Sequence, residues 1–214
     1  MAGYVELNPD PYSGHQRMLR LCGQPGVVLD VGGSSGYLSS ELAARGARVI
    51  LVDLDEAAVS EARASGREAH PVDLSREAPP LPPASVDLIL CADVLEHLPD
   101  PAAALRRLRP LLAPRGRLVA SVPNGANWAL RLSLLAGRWQ YSDRGLLDRT
   151  HLRNLTRRSF LECLNGSGFR VLATDVTCPI PLWRGGRLSA AAHLLARVFP
   201  GLLAYQHIAV AEGR

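Results

Sequence analysis

The sequence predicts a doubly wound α/β fold, and three observations predict it. Val27-Val28-Leu29-Asp30-Val31 reads as a short buried strand that breaks into Gly32-Gly33-Ser34-Ser35-Gly36 and then into a helix. Arg48-Val49-Ile50-Leu51-Val52-Asp53 repeats the strand and again ends on a carboxylate. Beyond it, apolar runs and helical segments keep alternating, the pattern of parallel strands with helices on both faces.

Each element follows in order. Ser13 to Cys22 is an amphipathic lead-in helix with Met18, Leu19 and Cys22 on its apolar face. In the turn after the first strand, Gly32, Gly33 and Gly36 can take positive φ and let a ligand approach the backbone closely. Tyr37 to Arg45 is a helix ended by Gly46, and Glu56 to Ser65 a helix stopped by Gly66. Arg67 to Val72 is a third strand with Asp73-Leu74 at its end, and Ser85 to Ala92 a fourth. Pro101 to Leu112 is a helix with proline in its first turn, followed by a fifth strand, Arg117 to Val122. Ser159 to Gly168 is the next helix. Phe169 to Thr177 and Ala204 to Ala211 are the last two strands.

With 214 residues and 47% hydrophobic content, the chain suffices for one domain over residues 1–214 with a full core. No apolar run reaches the length of a membrane span, and the start of the chain lacks a basic-then-apolar leader pattern. Cys22, Cys91, Cys163 and Cys178 are scattered without a C-x-x-C, so they read as small buried thiols in a reducing compartment, and a cytoplasmic location is expected. The 24 basic residues, for a net charge of +4, are all arginine. That bias fits a GC-rich genome and discounts any single arginine cluster.

The glycine turn favours one ligand over another. A dinucleotide fingerprint needs G-x-G-x-x-G, but Val31 stands at the first glycine position. Asp30 at the strand end repels phosphate and attracts a cation. The D-x-G-G-x-x-G pattern resembles the first motif of the class I S-adenosylmethionine (SAM)-dependent methyltransferases. The resemblance is strong over 27–98, moderate over 123–170 and weak beyond. It implies a Rossmann-like, doubly wound seven-stranded sheet, mostly parallel with the last strand antiparallel. It also implies that Asp30, Gly32, Gly33 and Gly36 hold the amino-acid part of SAM. Asp53 then binds the ribose hydroxyls, Leu54 covers the adenine face, and Asp73 with Leu74 meets the adenine edge. An NAD-dependent oxidoreductase shares the acid of the second strand, but not Asp30 or the glycine spacing.

The chemistry is sought after the fourth and fifth strands. Asp93, Glu96 and His97 stand at i, i+3 and i+4, one face of a helical turn, and suit Mg²⁺, Mn²⁺ or Zn²⁺. The stretch is similar to the E-x-x-E-H motif of ubiquinone-pathway O-methyltransferases and of small-RNA 3′-end methyltransferases, with Asp93 in place of the first glutamate. His151 lies in an L-D-x-T-H-L-R stretch resembling bacterial methyltransferases of sugar and glycan biosynthesis. It is a candidate general base or metal ligand, with Asp148 to orient it; pinning the loop through a backbone carbonyl is the alternative.

Residues 123–158 are expected to cover the substrate. Trp128, Trp139 and Tyr141 would wall its pocket or enter the core, and Arg131, Arg138, Arg144, Arg149, Arg153, Arg157 and Arg158 would favour an anionic acceptor. His15 is expected over the cofactor or at the surface. The insertion at 178–203, with an apolar helix near Leu188–Phe199, is expected to pack on the core; a lid, a dimer surface and a membrane-surface patch are the alternatives. The reading is an O-methyltransferase acting on a hydroxyl of a small metabolite, sugar or natural product. An N-methyltransferase, an RNA-end methyltransferase and a non-catalytic SAM-binding partner are the rivals; no base-stacking pattern favours nucleic acid.

Overall fold

The computed structural model describes residues 10–33, 36–178 and 186–214. Ser34 and Ser35 of the glycine turn and residues 179–185 of the insertion lie outside the described residues. Among the described residues, seven strands form one sheet: β1 (Val27–Val31), β2 (Arg48–Asp53), β3 (Glu68–Pro71), β4 (Val86–Ala92), β5 (Leu112–Pro123), β6 (Phe169–Thr177) and β7 (Gln206–Gly213). Their order is β3-β2-β1-β4-β5-β7-β6. The first five run parallel, and β7 lies antiparallel between β5 and β6. The chain reverses direction across the sheet between β1 and β4, so the carboxyl ends of those strands form a crevice at the topological switch point.

The strands' alternation divides the core. Val28, Val49, Leu88, Leu90, Val119 and Ile208 face α1 (Gly14–Cys22) and α2 (Tyr37–Ala44). On the opposite face, Leu29, Ile50, Ile89 and Leu118 meet α4 (Pro101–Leu108) and α6 (Arg157–Gly166) through Leu105, Leu108, Phe160 and Leu164. α3 (Glu56–Ala64) packs Val59 and Ala62 on Leu51 and Ala69. Helix starts obey local chemistry: Ser13, Asp55, Asp100 and Thr156 each accept a backbone N–H at an N-terminus.

Several boundaries differ from the sequence expectation for physical reasons. The helix from Pro101 ends at Leu108, because Pro110 has no N–H to continue it; a 3₁₀ turn, Arg109–Leu111, leads into a longer β5. The seventh strand starts at Gln206, since α8 (Pro200–Leu203) holds the chain before it and the Ala204 carbonyl accepts from Asn124 and Asn127. An unexpected helix, α5 (Trp128–Leu135), follows β5, capped by Asn127. The insertion forms α7 (Gly186–Val198), but most of its large apolar residues face outward, which corrects the expectation of core packing. Trp128 and Tyr141 are also exposed, so neither enters the core. Cys22 and Cys91 are buried free thiols; Cys163 and Cys178 are half-buried.

Candidate functional site

The glycine turn sits at the switch point and is braced from three sides. Gly32 donates its N–H to the Val52 carbonyl at 2.7 Å, tying the turn to β2, and Gly36 donates to Gly33 at 2.7 Å. Gly32 has φ +66°, and a Cβ there would lie 2.7 Å from a Val94 methyl. Under the turn lies Asp30, buried, its Oδ2 accepting from the Ser39 hydroxyl of α2. A Cβ on Gly33 would stand 2.8 Å from that same Oδ2. Burial pushes the Asp30 carboxyl up to about 7, against the pull of the Ser39 hydrogen bond. Asp30 therefore supports the turn from below, and Ser39 is a partner that sequence reasoning missed. His15 packs on Tyr37 at the start of α2, ring centroids 4.5 Å apart, beside the turn.

Asp53 ends β2 with Oδ1 accepting from the Asp55 N–H at 2.9 Å. Leu54 beside it is 70% exposed, an apolar side chain left in solvent at the mouth of the crevice. Asp73 accepts from both the N–H and the hydroxyl of Ser75 and pairs with Arg76 at 3.2 Å. These Ser75 bonds hold its carboxyl below the usual range. The Leu74 side chain is buried in the core.

The polar residues after β4 do not share one helical face. Asp93 takes φ +53°, and the helical turn that follows is a single 3₁₀ turn, Leu95–His97. The left-handed residue breaks the i, i+3, i+4 register and directs the Asp93 carboxylate to Ser121 of β5 and Gln206 of β7, from which it accepts. Glu96 and His97 instead converge with His151, their ligand atoms all within 4.8 Å of one another. The His151 Nε2 lies 4.0 Å from the Glu96 carboxylate, and the His97 and His151 rings meet edge to face at 4.9 Å.

The loop reaches this cluster by backbone pairing. Leu152 and Arg153 both donate N–H groups to the Glu96 carbonyl, at 2.8 and 3.0 Å. The His97 Nδ1 stands 3.1 Å from the Thr150 carbonyl, which can only accept, so Nδ1 donates to it. His151 hydrogen-bonds the backbone of Leu146, as the pinning alternative expects. Burial lowers the His151 pKa, His97 lowers it further, and Asp148 opposes both. Asp148 acts through its charge, since its Oδ1 accepts from the N–H and hydroxyl of Thr150.

Glu96 is the unusual member. It is 1% exposed, and neither carboxylate oxygen meets a hydrogen-bond partner from another of the described residues. Burial pushes its carboxyl well above the ordinary range, with Asp93 adding to the effect. A buried carboxylate without a partner is costly unless a proton or a cation accompanies it. Two imidazoles, each anchored at a backbone carbonyl, suit the cation. The nearby arginines are largely committed elsewhere: Arg131 to Ala126 and Gly201, Arg149 to Asp143, Arg153 to Pro99 and Arg158 to Glu162.

Comparison with known proteins agrees with this architecture. Residues 7–174 match the family model described as a methyltransferase domain. A ubiquinone biosynthesis O-methyltransferase of Xylella fastidiosa is 37% identical over 132 residues, 54% of this chain and 53% of the relative. The chain thus spans about half the length of the curated relatives it matches. A SAM-dependent methyltransferase from Mesorhizobium loti superposes with a TM-score of 0.65 at 23% identity, covering 93% of this chain and 97% of that one. The 1,6-didemethyltoxoflavin-N1-methyltransferase of Burkholderia thailandensis, solved with 1,6-didemethyltoxoflavin and S-adenosylhomocysteine (SAH) bound, superposes at a TM-score of 0.62 with 21% identity over 94% and 79% of the two chains. These two likenesses speak for the fold alone.

Proposed function

The chain belongs to the methyltransferase domain family, and on that premise we propose that it moves the methyl group of SAM onto a hydroxyl of a small metabolite, sugar or natural product. The amino-acid part of SAM lies on the Gly32–Gly36 turn above Asp30, its ribose at Asp53, and its adenine between Leu54 and Asp73-Leu74. The outward Leu54 supports this: an apolar side chain left in solvent beside a strand-end carboxylate suits the face of a base.

Transfer from a sulfonium needs alignment of donor and acceptor, and removal of the hydroxyl proton. The observation that carries the hydroxyl reading is the Glu96–His97–His151 cluster, joined to the cofactor turn through the contact of Val94 with Gly32. Glu96, His97 and His151 would hold a divalent ion such as Mg²⁺, Mn²⁺ or Zn²⁺, and such an ion lowers the pKa of a hydroxyl bound to it. Asp93, turned to Ser121 and Gln206, is left out of that set. His151, neutral near pH 7 because burial disfavours its charge, is competent as a ligand or as a base. Residues 123–158 cover the acceptor, and docking of Leu152 and Arg153 on Glu96 makes cover and cluster one unit.

Calorimetric titration tests the proposal. SAH should bind the wild-type protein and bind at least tenfold more weakly to Asp53→Ala, where the ribose partners are lost. Mg²⁺, Mn²⁺ or Zn²⁺ should bind the wild type and not Glu96→Gln. A folded protein that binds no SAH overturns the cofactor assignment; one that binds SAH but no divalent ion leaves His151 as the base and removes the metal.

A further inference from the structure

We propose that the outward face of α7 and α8 docks on an anionic lipid surface. α7 is built the reverse of an ordinary surface helix. Its buried positions are Ser189, His193 and Ala196, two polar residues and one small one. Its outward positions are Leu188, Leu194, Leu195 and Val198, and Phe199 and Leu202 of the adjoining turn extend the same exposed surface. A helix that packs on a core buries its large apolar side chains; this one leaves Leu194 and Val198 63% and 61% exposed.

The orientation is set from beneath. Asp175 on β6 accepts from Arg17 of α1, and the His193 Nε2 stands 3.7 Å from the other Asp175 oxygen. Tyr12 meets the opposite side of the His193 ring, with centroids 5.2 Å apart. These contacts hold His193 inward, with Ser189 and Ala196 buried on the same side, so the leucines are outward because the inner face is occupied.

Charge selects the occupant. From Thr177 to Ala211 the sequence has no aspartate or glutamate, while Arg187 and Arg197 are exposed on α7 itself. An apolar face on a stretch whose charged residues are all cations matches the boundary of a bilayer bearing anionic headgroups. A second copy of the chain seated on this face would set arginine against arginine. Among the described residues no helix is long and apolar enough to cross a membrane, so the contact is with the surface. The inference stands apart from the methyl-transfer reading, because no residue of the crevice takes part.

Co-sedimentation with vesicles tests it, using phosphatidylcholine alone and phosphatidylcholine doped with phosphatidylglycerol. The protein should pellet with the doped vesicles and be released by high salt. Arg187→Gln and Arg197→Gln should each weaken binding about fivefold, and the pair Leu194→Glu, Val198→Glu should abolish it. The variants should melt as the wild type does and keep its SAH affinity, which separates failure of docking from failure of the fold or the cofactor site. Absence from the doped pellet overturns the proposal, as does binding that survives Leu194→Glu, Val198→Glu or that is equal on neutral vesicles. A dimer dissolved by Leu194→Glu, Val198→Glu, without vesicle binding, also overturns it and gives the face to a second copy.

Discussion

Gly32 is held to glycine by two constraints that act on different partners. Its φ of +66° strains any residue with a Cβ, by about 1–2 kcal/mol. That Cβ would also press on Val94, whose segment leads to Glu96 and His97. Gly32→Ala should therefore weaken SAH binding about tenfold or more and disturb divalent-ion binding with it, while the sheet's circular dichroism is retained; an unchanged SAH affinity would remove the turn from the cofactor site. Glu96→Gln acts in the opposite sense on stability. It removes a buried carboxyl whose ionisation the fold disfavours, so near neutral pH the metal-free variant should melt higher than metal-free wild type. Added Mn²⁺ or Zn²⁺ should then raise the wild-type midpoint and leave the variant's unmoved. A variant that melts lower without metal would show that Glu96 has a stabilising partner, and the cation would lose its main support.

Among the elements, α5 depends most on side-chain amides. The Asn127 Oδ1 accepts the Ala129 N–H at 3.0 Å, and its Nδ2 donates to the Ala204 carbonyl at 2.8 Å. One residue caps the helix and ties it to the entry of β7. Asn127→Ala should cost about 2 kcal/mol, a cap and a buried hydrogen bond, read from denaturant midpoints. Asn127→Asp keeps the cap acceptor but sets a carboxylate against a carbonyl, and should be no milder. A loss below about 0.5 kcal/mol for Asn127→Ala would mean that α5 is held by its packing alone. The same region marks where the sequence stopped being legible. β1, α2 and β2 announce themselves because their apolar period and glycine stops are local signals. So does Asp30, although its role as a brace needed Ser39 nine residues away. α5 has a cap but exposes Trp128, Leu132 and Leu135, so no apolar stripe advertises it. The ligand cluster misled in a related way. Spacing placed Asp93 with Glu96 and His97, but bonds to Ser121 and Gln206, distant in the chain, turn it aside, and His151 meets Glu96 and His97 instead.

For the whole molecule, two buried ionisable groups oppose each other as pH changes. His207 on β7 is 2% exposed, with no hydrogen-bond partner at either ring nitrogen among the described residues, and burial pulls its pKa from 6.5 down to about 4. Between those values the unfolded chain takes up a proton that the folded one refuses. His207 thus makes the fold more stable as pH rises from 4 to 6.5. Asp30 does the reverse. Its carboxyl is raised from 3.8 to about 7, so the folded state keeps a proton that the unfolded state has lost, and stability falls as pH rises through that window. Each slope is about 1.4 kcal/mol per pH unit, so in the cofactor-free protein their contributions nearly cancel over the shared window. Single substitutions should uncover them. His207→Leu leaves Asp30 alone, and stability should fall by about 3 kcal/mol from pH 4 to 6.5 relative to wild type. Asp30→Asn leaves His207 alone, and stability should climb by a similar amount over the same range. Urea denaturation of the three proteins at several pH values reads this directly. Parallel curves would show that neither group titrates as its burial demands; slopes of opposite sign would show that the acid beneath the glycine turn and the histidine of the antiparallel strand each contribute, in opposite directions, to the pH dependence of the fold.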